Sequence, residues 1–492
     1  MATGQLPGAE RAKFDGTGND GVVTNWPGRG LALLVAGTFF MENLDGTIIA
    51  TAAPRMAASF GVPSPAISAA MTAYLITLAV GIPASGWLAG RFGTRAVFGS
   101  AITIFTIASG LCALSTSLPM LIGTRVLQGL GGAMMVPVGR LAVLRTTDKR
   151  DLVRAIAYLT WPGLIAPVLA PALGGLVVAY ASWRWIFVVN IPLGVLAGVL
   201  AARMVPGDRA TDRSALDWPG FLLTGVSLAG LVAGTQYLGD AHINWAAVSV
   251  ALGIGLAAGL LAVWQLLHSP HPLMNLRTLR VRTYRVSTFG GSVFRAMITA
   301  VPFLLPLLFQ DAFGWDPLRA GLVVVAVFVG NIGIKPFTTP LMRRFGFRGP
   351  LLVSVAGAIA SLVGCALITA QTPLWLILLV LCVSGIFRST GFTAYNTIQF
   401  ADIDRAEVAS ANTLASTTQQ LAAGLGVAAG ALALRIGVPV AGTSGTGAYR
   451  VAFLILAALL LICVVETLRL PRNAGDHVSR ARPEASSSDP GD

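Results

Sequence analysis

Three ionisable residues stand inside long apolar runs, where an ionisable side chain is costly and is kept only when partnered or used. Glu42 and Asp45 lie in Phe40-Met41-Glu42-Asn43-Leu44-Asp45-Gly46-Thr47, and Arg125 opens Arg125-Val126-Leu127-Gln128-Gly129-Leu130-Gly131. A spacing of three residues puts both carboxylates on one face of a helix. At 1.5 Å per residue Asp45 falls about 12 Å, and Arg125 about 9 Å, from the outer ends of their runs, so the two can meet. Glu42 falls nearer the middle. Such a pair could be a static tie between two helices. It could also be a proton site: a guanidinium that moves during a conformational change switches its carboxylate between holding and releasing a proton. The spacing leaves both readings open, and leaves open which of Glu42 and Asp45 carries the proton.

The second half of the chain has the opposite sign. Arg295, Lys335 and Arg388 lie within apolar runs, with no acidic residue at comparable depth. Lys335 and Arg388 fall nearer the inner side, where snorkelling or pairing with Asp402 and Asp404 would also explain them. Arg295 is more central. Carboxylates in one half facing cations in the other predict a cavity of mixed sign, with Gln128, Arg295, Asn331, Lys335, Arg388 and Asn396 as candidate lining. A substrate with apolar bulk and an anionic or zwitterionic group would suit it. Another run, Trp161 to Gly175, repeats proline and small residues about every four positions. That pattern fits a tight helix contact, and equally a hinge or seal between two states.

Other chemistry is not visible. There is no nucleophile with a base, no phosphate-binding loop and no cluster with metal-ligand spacing. Cys112, Cys365, Cys382 and Cys463 all fall in apolar runs and read as buried thiols. An enzyme is therefore not expected. No cofactor or ATP is expected either, so work must be driven by an ion gradient. A proton suits one carboxylate beside an arginine better than sodium does, because that is a poor cage for a metal ion.

The elements that must position these residues follow from composition. The chain has 492 residues, 55% hydrophobic and 11% charged, against about 25% charged in an ordinary soluble domain. Its mean hydropathy is +0.74. Only a bilayer can solvate that much apolar surface, which makes this a polytopic all-α membrane protein. The net charge of +13 implies no nucleic-acid partner, because the basic residues cluster in short connections between runs. Fourteen spans are expected, near 30–53, 67–89, 96–114, 119–144, 155–180, 185–203, 218–238, 246–268, 286–309, 318–341, 349–370, 374–397, 409–433 and 447–468. Alternate connections are rich in arginine and lysine, which places both termini in the cytoplasm. The turn Arg91-Phe92-Gly93-Thr94-Arg95 returns as Arg344-Phe345-Gly346-Phe347-Arg348, 253 positions later (91 to 344). A repeat at half the chain length means two parallel halves. The expected organisation is a cytoplasmic tail at 1–28, a six-helix half at 29–203, an inserted helix pair with linkers at 204–285, a second six-helix half at 286–468, and a polar, disordered tail at 469–492. The first tail has no apolar core of a cleaved signal. The insert begins at Asp217-Trp218-Pro219-Gly220, an acidic cap with proline in the first turn.

Taken together, these stretches resemble the major facilitator superfamily, and within it the fourteen-span drug:proton antiporters of the EmrB/QacA type. The resemblance covers about 30–468. It rests on Leu44-Asp45-Gly46-Thr47-Ile48-Ile49 with Pro54, on Gly86 to Arg95 (motif A), on Arg125 to Gly131 (motif B), on Ala170-Pro171-Ala172-Leu173-Gly174-Gly175 (motif C) and on Trp183 to Gly194. It implies two six-helix bundles plus an inserted pair, rocking between states to export small amphipathic drugs or metabolites in exchange for protons. It gives Asp45 the proton-coupling role and Arg125 a relay role. It makes Gly86, Arg91, Gly93 and Arg95, with Arg344, Gly346 and Arg348 in the second copy, a gate latched by charged contacts. Pro167, Pro171, Gly174 and Gly175 become the antiporter signature. Gly90 stands where motif A has aspartate, and Ala170 where motif C has glycine. The implied protein is a multi-pass component of the inner (plasma) membrane, a monomer, with accessory export proteins as an open alternative. Proton-coupled uptake, or export of one specific anionic or zwitterionic metabolite, is the alternative function. A channel without coupled transport fits the duplication and the Asp45/Arg125 placement less well.

Overall fold

The computed structural model describes residues 28–207, 214–239, 244–441, 445–471 and 474. The expectations for most of the two tails therefore fall outside the described residues. The first half contains α1 (Arg29–Phe60), α2 (Ser68–Gly81), α3 (Ser85–Phe92), α4 (Thr94–Ala113), α5 (Leu118–Thr146), α6 (Leu152–Tyr180), α7 (Trp185–Val188) and α8 (Asn190–Met204). An inserted pair follows, α9 (Trp218–Gly239) and α10 (Trp245–His268). The second half contains α11 (Arg282–Leu307), α12 (Pro317–Gly333), α13 (Lys335–Phe345), α14 (Arg348–Leu367), α15 (Leu374–Ala401), α16 (Val408–Ala441) and α17 (Thr446–Leu468). Twelve membrane-length apolar helices are present among the described residues, thirteen with the bent pair α12/α13. The 29-residue α6, rich in Leu, Val and Ala, lies at the fifth expected run.

Three runs differ in detail from the sequence expectation. The first does not stop near 53: Pro54 is absorbed within α1, which continues to Phe60. The stop is Gly61, at φ 65°, whose N–H reaches the carbonyls of Ala57 and Ala58. The second run is split at Pro83 by a tight turn over Ile82–Ala84. The tenth is bent by 47° between α12 and α13. Pro336, in the first turn of α13, lacks the N–H that would continue the ladder from α12.

The duplication is structural as well as textual. The packing of α1 on α6, α2 on α5, α4 on α5 and α4 on α8 is repeated by α11 on α16, α12 on α15, α14 on α15 and α14 on α17. Both copies of the basic turn hold glycine where the chain reverses, Gly93 at φ 85° and Gly346 at φ 68°. There a side chain would be strained. Arg95 then donates to the carbonyl of Ala202 near the end of α8. Arg348 does the same to Leu468 at the end of α17, at 3.0 Å. Each half is thus closed by the same arginine-to-last-helix tie. The face carrying these turns is called the basic face below.

The inserted pair packs on α2 of one half and α16 of the other. Asp217 secures its base, accepting from the Gly220 N–H at the start of α9 (3.0 Å) and from Gln265 near the end of α10 (3.1 Å).

Small residues set the closest approaches, as they do where helices associate in lipid. A Cβ on Gly385 would overlap the carbonyl of Val327, so α12 and α15 meet backbone to backbone. We expect Gly385→Ala to cost about 1–3 kcal/mol through overpacking, read as a lower unfolding temperature in one detergent. Gly99→Ala, inside α4 and meeting open space, should not lower it, since alanine is the better helix former.

Candidate functional site: a buried carboxylate cluster and a cationic cavity

The first site lies where α1, α2, α4, α5 and α8 converge. Asp45 on α1 is 1% exposed and Arg125 on α5 is fully buried. Arg125 Nη1 sits 2.5 Å from Asp45 Oδ2, a charge-assisted bond of the strong kind. The same nitrogen donates to Gln128 Oε1 at 2.6 Å. The other carboxylate oxygen of Asp45 accepts from Gln128 Nε2 at 3.0 Å and from Asn190 Nδ2 at 2.8 Å. Ser109 on α4 accepts from Gln128 at 2.7 Å and from Asn190 at 3.4 Å. The Tyr74 ring on α2 lies 4.0 Å from the guanidinium carbon of Arg125, within cation–π range.

Gln128 was expected in the substrate cavity. It stands instead inside the Asp45 cluster, because three residues along α5 from Arg125 is the same helical face. Sequence reasoning missed Asn190, Ser109 and Tyr74. Asn190 had a signal, a polar residue at the break between α7 and α8. Glu42 does not join the cluster. Its Oε2 is buried without a hydrogen-bond partner, as is the Tyr74 hydroxyl, and both side chains converge on Gly132.

The second site lies in the other half. Asn396 Oδ1 accepts from Arg295 Nη2 at 3.3 Å and from Gln419 Nε2 at 2.8 Å. The face of Phe392 lies 3.9 Å from the Arg295 guanidinium carbon. A small, partly open polar cavity between α11, α15 and α16 is lined by Thr288, Ser292, Arg295, Asn396, Gln399 and Gln419, among others. Lys335 donates to Thr393 at 2.9 Å. Arg388 is 8% exposed, and its Nε and Nη1 have no hydrogen-bond partner, as is also true of Asn331 Nδ2. Asp402 accepts from Thr283 on α11 at 2.8 Å. The cavity side therefore gathers Arg295 and Asn396, while Asn331, Lys335 and Arg388 lie along the contact of α12 and α13 with α15.

The two halves are joined through a residue the sequence reading passed over. Arg140, on α5, donates across the halves to Asn412 Oδ1 at 2.6 Å and to Gln419 Oε1 at 3.1 Å. Asn412 returns a bond to the carbonyl of Pro137 at 2.8 Å. Nearer the basic face, Arg405 approaches Asp148 (4.0 Å) and Arg343 approaches Asp151 (3.9 Å). Exposed pairs of this kind contribute little, so the Arg140 clasp is the stronger tie. It closes the halves at the basic face.

Motif A is placed at that seam. Gly86 faces α16 so closely that a Cβ would overlap Thr413. Arg95, expected to latch the halves, instead ties its own half to Ala202, since its start-of-helix position points it back along α8. Gly90 is buried where an aspartate would have to be solvated. Arg344 lies 5.5 Å from the Phe345 ring, and Arg91 is exposed. In motif C, a Cβ on Gly174 would overlap the Thr51 hydroxyl, so α6 rides tightly on α1, while Gly175 faces open space. Pro167 and Pro171 lie within α6; their side chains fall outside the described set.

The ion pair makes a stability prediction. Arg125→Met strands a buried carboxylate and should cost about 3–5 kcal/mol, whereas Asp45→Leu combined with Arg125→Met should recover much of that loss. Thermal unfolding of the four proteins of the cycle in one detergent checks it.

Comparison with known proteins agrees with this architecture. The family model described as Major Facilitator Superfamily matches residues 35–427 and 288–489. A protein of Cronobacter sakazakii bearing the multidrug-resistance name MdtD is 36% identical over 460 residues, covering 92% of this chain and 97% of its own. A Serratia proteamaculans protein of the same name is 38% identical over 405 residues, covering 80% and 82%. Among solved structures, the human organic anion transporter MFSD10 superposes with a TM-score of 0.63 at 12% identity, covering 90% of this chain and 100% of its own. The proton:xylose symporter XylE superposes at 0.62 and 14% identity, covering 91% and 96%. With two like-folded halves, a buried carboxylate cluster in one and these matches across nearly its whole length, the chain belongs to the major facilitator superfamily of membrane transporters.

Proposed function

We propose that this protein exports small amphipathic organic compounds in exchange for protons, by alternating access. The observation that carries the reading is the Asp45 cluster. One carboxylate holds an arginine, a glutamine and an asparagine from two other helices, α5 and α8. A proton on Asp45 removes the charge that binds Arg125 and turns an acceptor for three donors into a donor itself. The joint between α1, α5 and α8 then loosens, and the halves are free to rock. Loss of the proton on the opposite side remakes the joint. In the state described here the basic face is closed and Asp45 is fully engaged by donors, as expected of a carrier that awaits a proton from the other side.

The names of the relatives support drugs as cargo. We assign the basic face to the cytoplasm, with both termini there and the protein in the inner membrane. We read it as a monomeric carrier that does no covalent chemistry and needs no ATP or cofactor. Glu42 is the second candidate proton carrier, since it lies one turn from Asp45 without being engaged by Arg125. The close seat of Gly174 on Thr51 makes the α1/α6 contact a seal that must slide or open when the joint loosens.

The experiment is proton movement in proteoliposomes, followed with a trapped pH-sensitive dye after addition of a panel of amphipathic compounds. Substrate-triggered proton flux is expected in the wild type and should fall to background in Asp45→Asn. Substrates that cross equally well without a gradient, or wild-type coupling in Asp45→Asn, would sink the reading. Loss in Glu42→Gln alone would move the proton site one turn along α1.

A further inference from the structure

Among the described residues, half-buried Arg295 and buried Arg388 in the second half bond no carboxylate. Helices α11 to α16 of that half contain no aspartate or glutamate. Of the acids outside those helices, Asp311 is engaged by Tyr449, Asp316 by the Arg319 N–H, Asp402 by Thr283 and Glu466 by Arg469. Yet Arg295 lines a cavity, with Arg388 and Arg140 within electrostatic range of it. Elsewhere in the same protein a buried arginine is matched by Asp45. Desolvated charge is costly unless paired, so this cluster is built for a charge that arrives from outside the chain.

The geometry says where that charge sits. Arg295 carries five N–H donors in a fixed fork, of which one nitrogen is committed to Asn396. Phe392 holds the guanidinium plane from one side. The remaining lining is neutral and hydrogen-bonding, from Thr288, Ser292, Gln399 and Gln419, with no carboxylate to repel an anion. A planar oxyanion matches the fork in two-point fashion.

The same polar chain leads to the clasp between the halves. Arg295 bonds Asn396, Asn396 accepts from Gln419, and Gln419 accepts from Arg140 of the other half. Closing the basic face therefore brings a second guanidinium onto the chain that already holds the first. Without an anion, the two cations oppose closure. With one, closure gains a shared counter-charge, and a ligand shifts a conformational equilibrium by its differential interaction with the two states.

We propose that the cavity between α11, α15 and α16 binds the carboxylate or like oxyanion of an acidic amphipathic substrate on Arg295, and that this anion, through Asn396 and Gln419, favours closure of the Arg140 clasp. The proposal rests on the export reading above and gives it a substrate class.

The test uses the full chain in nanodiscs of neutral lipid, with three probes of one shape: 2-naphthoate, 2-naphthalenemethanol and 2-naphthylmethylammonium. Titrations followed by intrinsic fluorescence give a dissociation constant for each. The wild type should bind the carboxylate at least about tenfold more tightly than the alcohol, the scale of one well-placed charge interaction. Arg295→Gln should bring the carboxylate to the level of the alcohol, while Arg295→Lys keeps part of the preference and guards against a merely misfolded variant. Arg140→Gln, in the other half, should weaken the carboxylate several-fold and leave the alcohol unchanged. Equal binding of the three probes, or a carboxylate preference that survives Arg295→Gln, would overturn the site. An Arg140→Gln variant that binds all three as the wild type does would overturn the link to the clasp. If the ammonium probe alone drives proton flux through Asp45, the acidic substrate class falls and the export reading stands. If no compound moves protons in the wild type, the export reading itself fails.

Discussion

In hydrocarbon, a lone charge costs several kcal/mol, and the bundle around α1 matches its buried arginine with an acid. Arg125 is fully buried and Asp45 is nearly so, and each is tolerable only because the other is present. Gln128 and Asn190 engage the other carboxylate oxygen, and Ser109 accepts from Gln128, drawing α4, α5 and α8 onto the same point of α1. The interaction that makes this half stable is therefore also the one a proton can undo. A carrier needs that conjunction: a joint strong enough to hold one state and chemically simple enough to release.

The duplication shows which parts of the architecture are scaffold and which are function. Gly93 and Gly346 both turn the chain at positive φ, and Arg95 and Arg348 close their halves by the same bond to the last helix. The helix pairings repeat as well. Against that constant frame the buried charge has diverged. One half holds a neutralised acid–base pair, and the other holds arginines with no acid in six successive helices. An acid–base cluster in one half thus accompanies a cationic cavity in the other, and the polar chain from Arg295 to Arg140 spans the seam between the halves.

Much of this was legible without coordinates, for physical reasons. Helix number and the repeat follow from hydropathy and from the basic turns, because the bilayer permits little else. The meeting of Asp45 with Arg125 followed from depth alone, since helical rise is fixed and an unpartnered charge is not tolerated. What was not legible depended on contacts between neutral polar groups. Asn190, Ser109, Asn412 and Gln419 carry no penalty large enough to mark them in a sequence, yet they decide where the charges are held. Gln128 was placed in the cavity because polarity in a span suggests lining, whereas helical phase puts it beside Arg125. Arg140 was missed although it obeys the same rule that exposed Arg125. It lies close enough to the basic end of α5 to pass for part of the connection, and only the fold shows it turned across to Asn412. The ends of α1 were misread for a similar reason: Pro54 looks like a stop, but Gly61 supplies the actual cap.

The separation of charge has an energetic consequence. A step that moves one elementary charge through the full membrane potential gains or costs about 2.3 kcal/mol per 100 mV. Exchange of a monoanion outward for a proton inward moves two charges in the same electrical sense, so an interior-negative membrane contributes roughly twice that to each turnover. The two sites suit such a cycle. On the outward leg the anion offsets Arg295 while Asp45, ionised, offsets Arg125, and the loaded carrier crosses with both sites near neutral. On the return leg Asp45 is protonated and the cavity empty, leaving Arg125 and Arg295 unmatched, and this more positive carrier is pulled inward by the potential. A monocationic cargo exchanged for one proton would move no net charge, and the potential would contribute nothing to that turnover. The charge of the cargo thus determines how far the membrane potential assists export, and the arginines of α11 and α15 suit an acidic one.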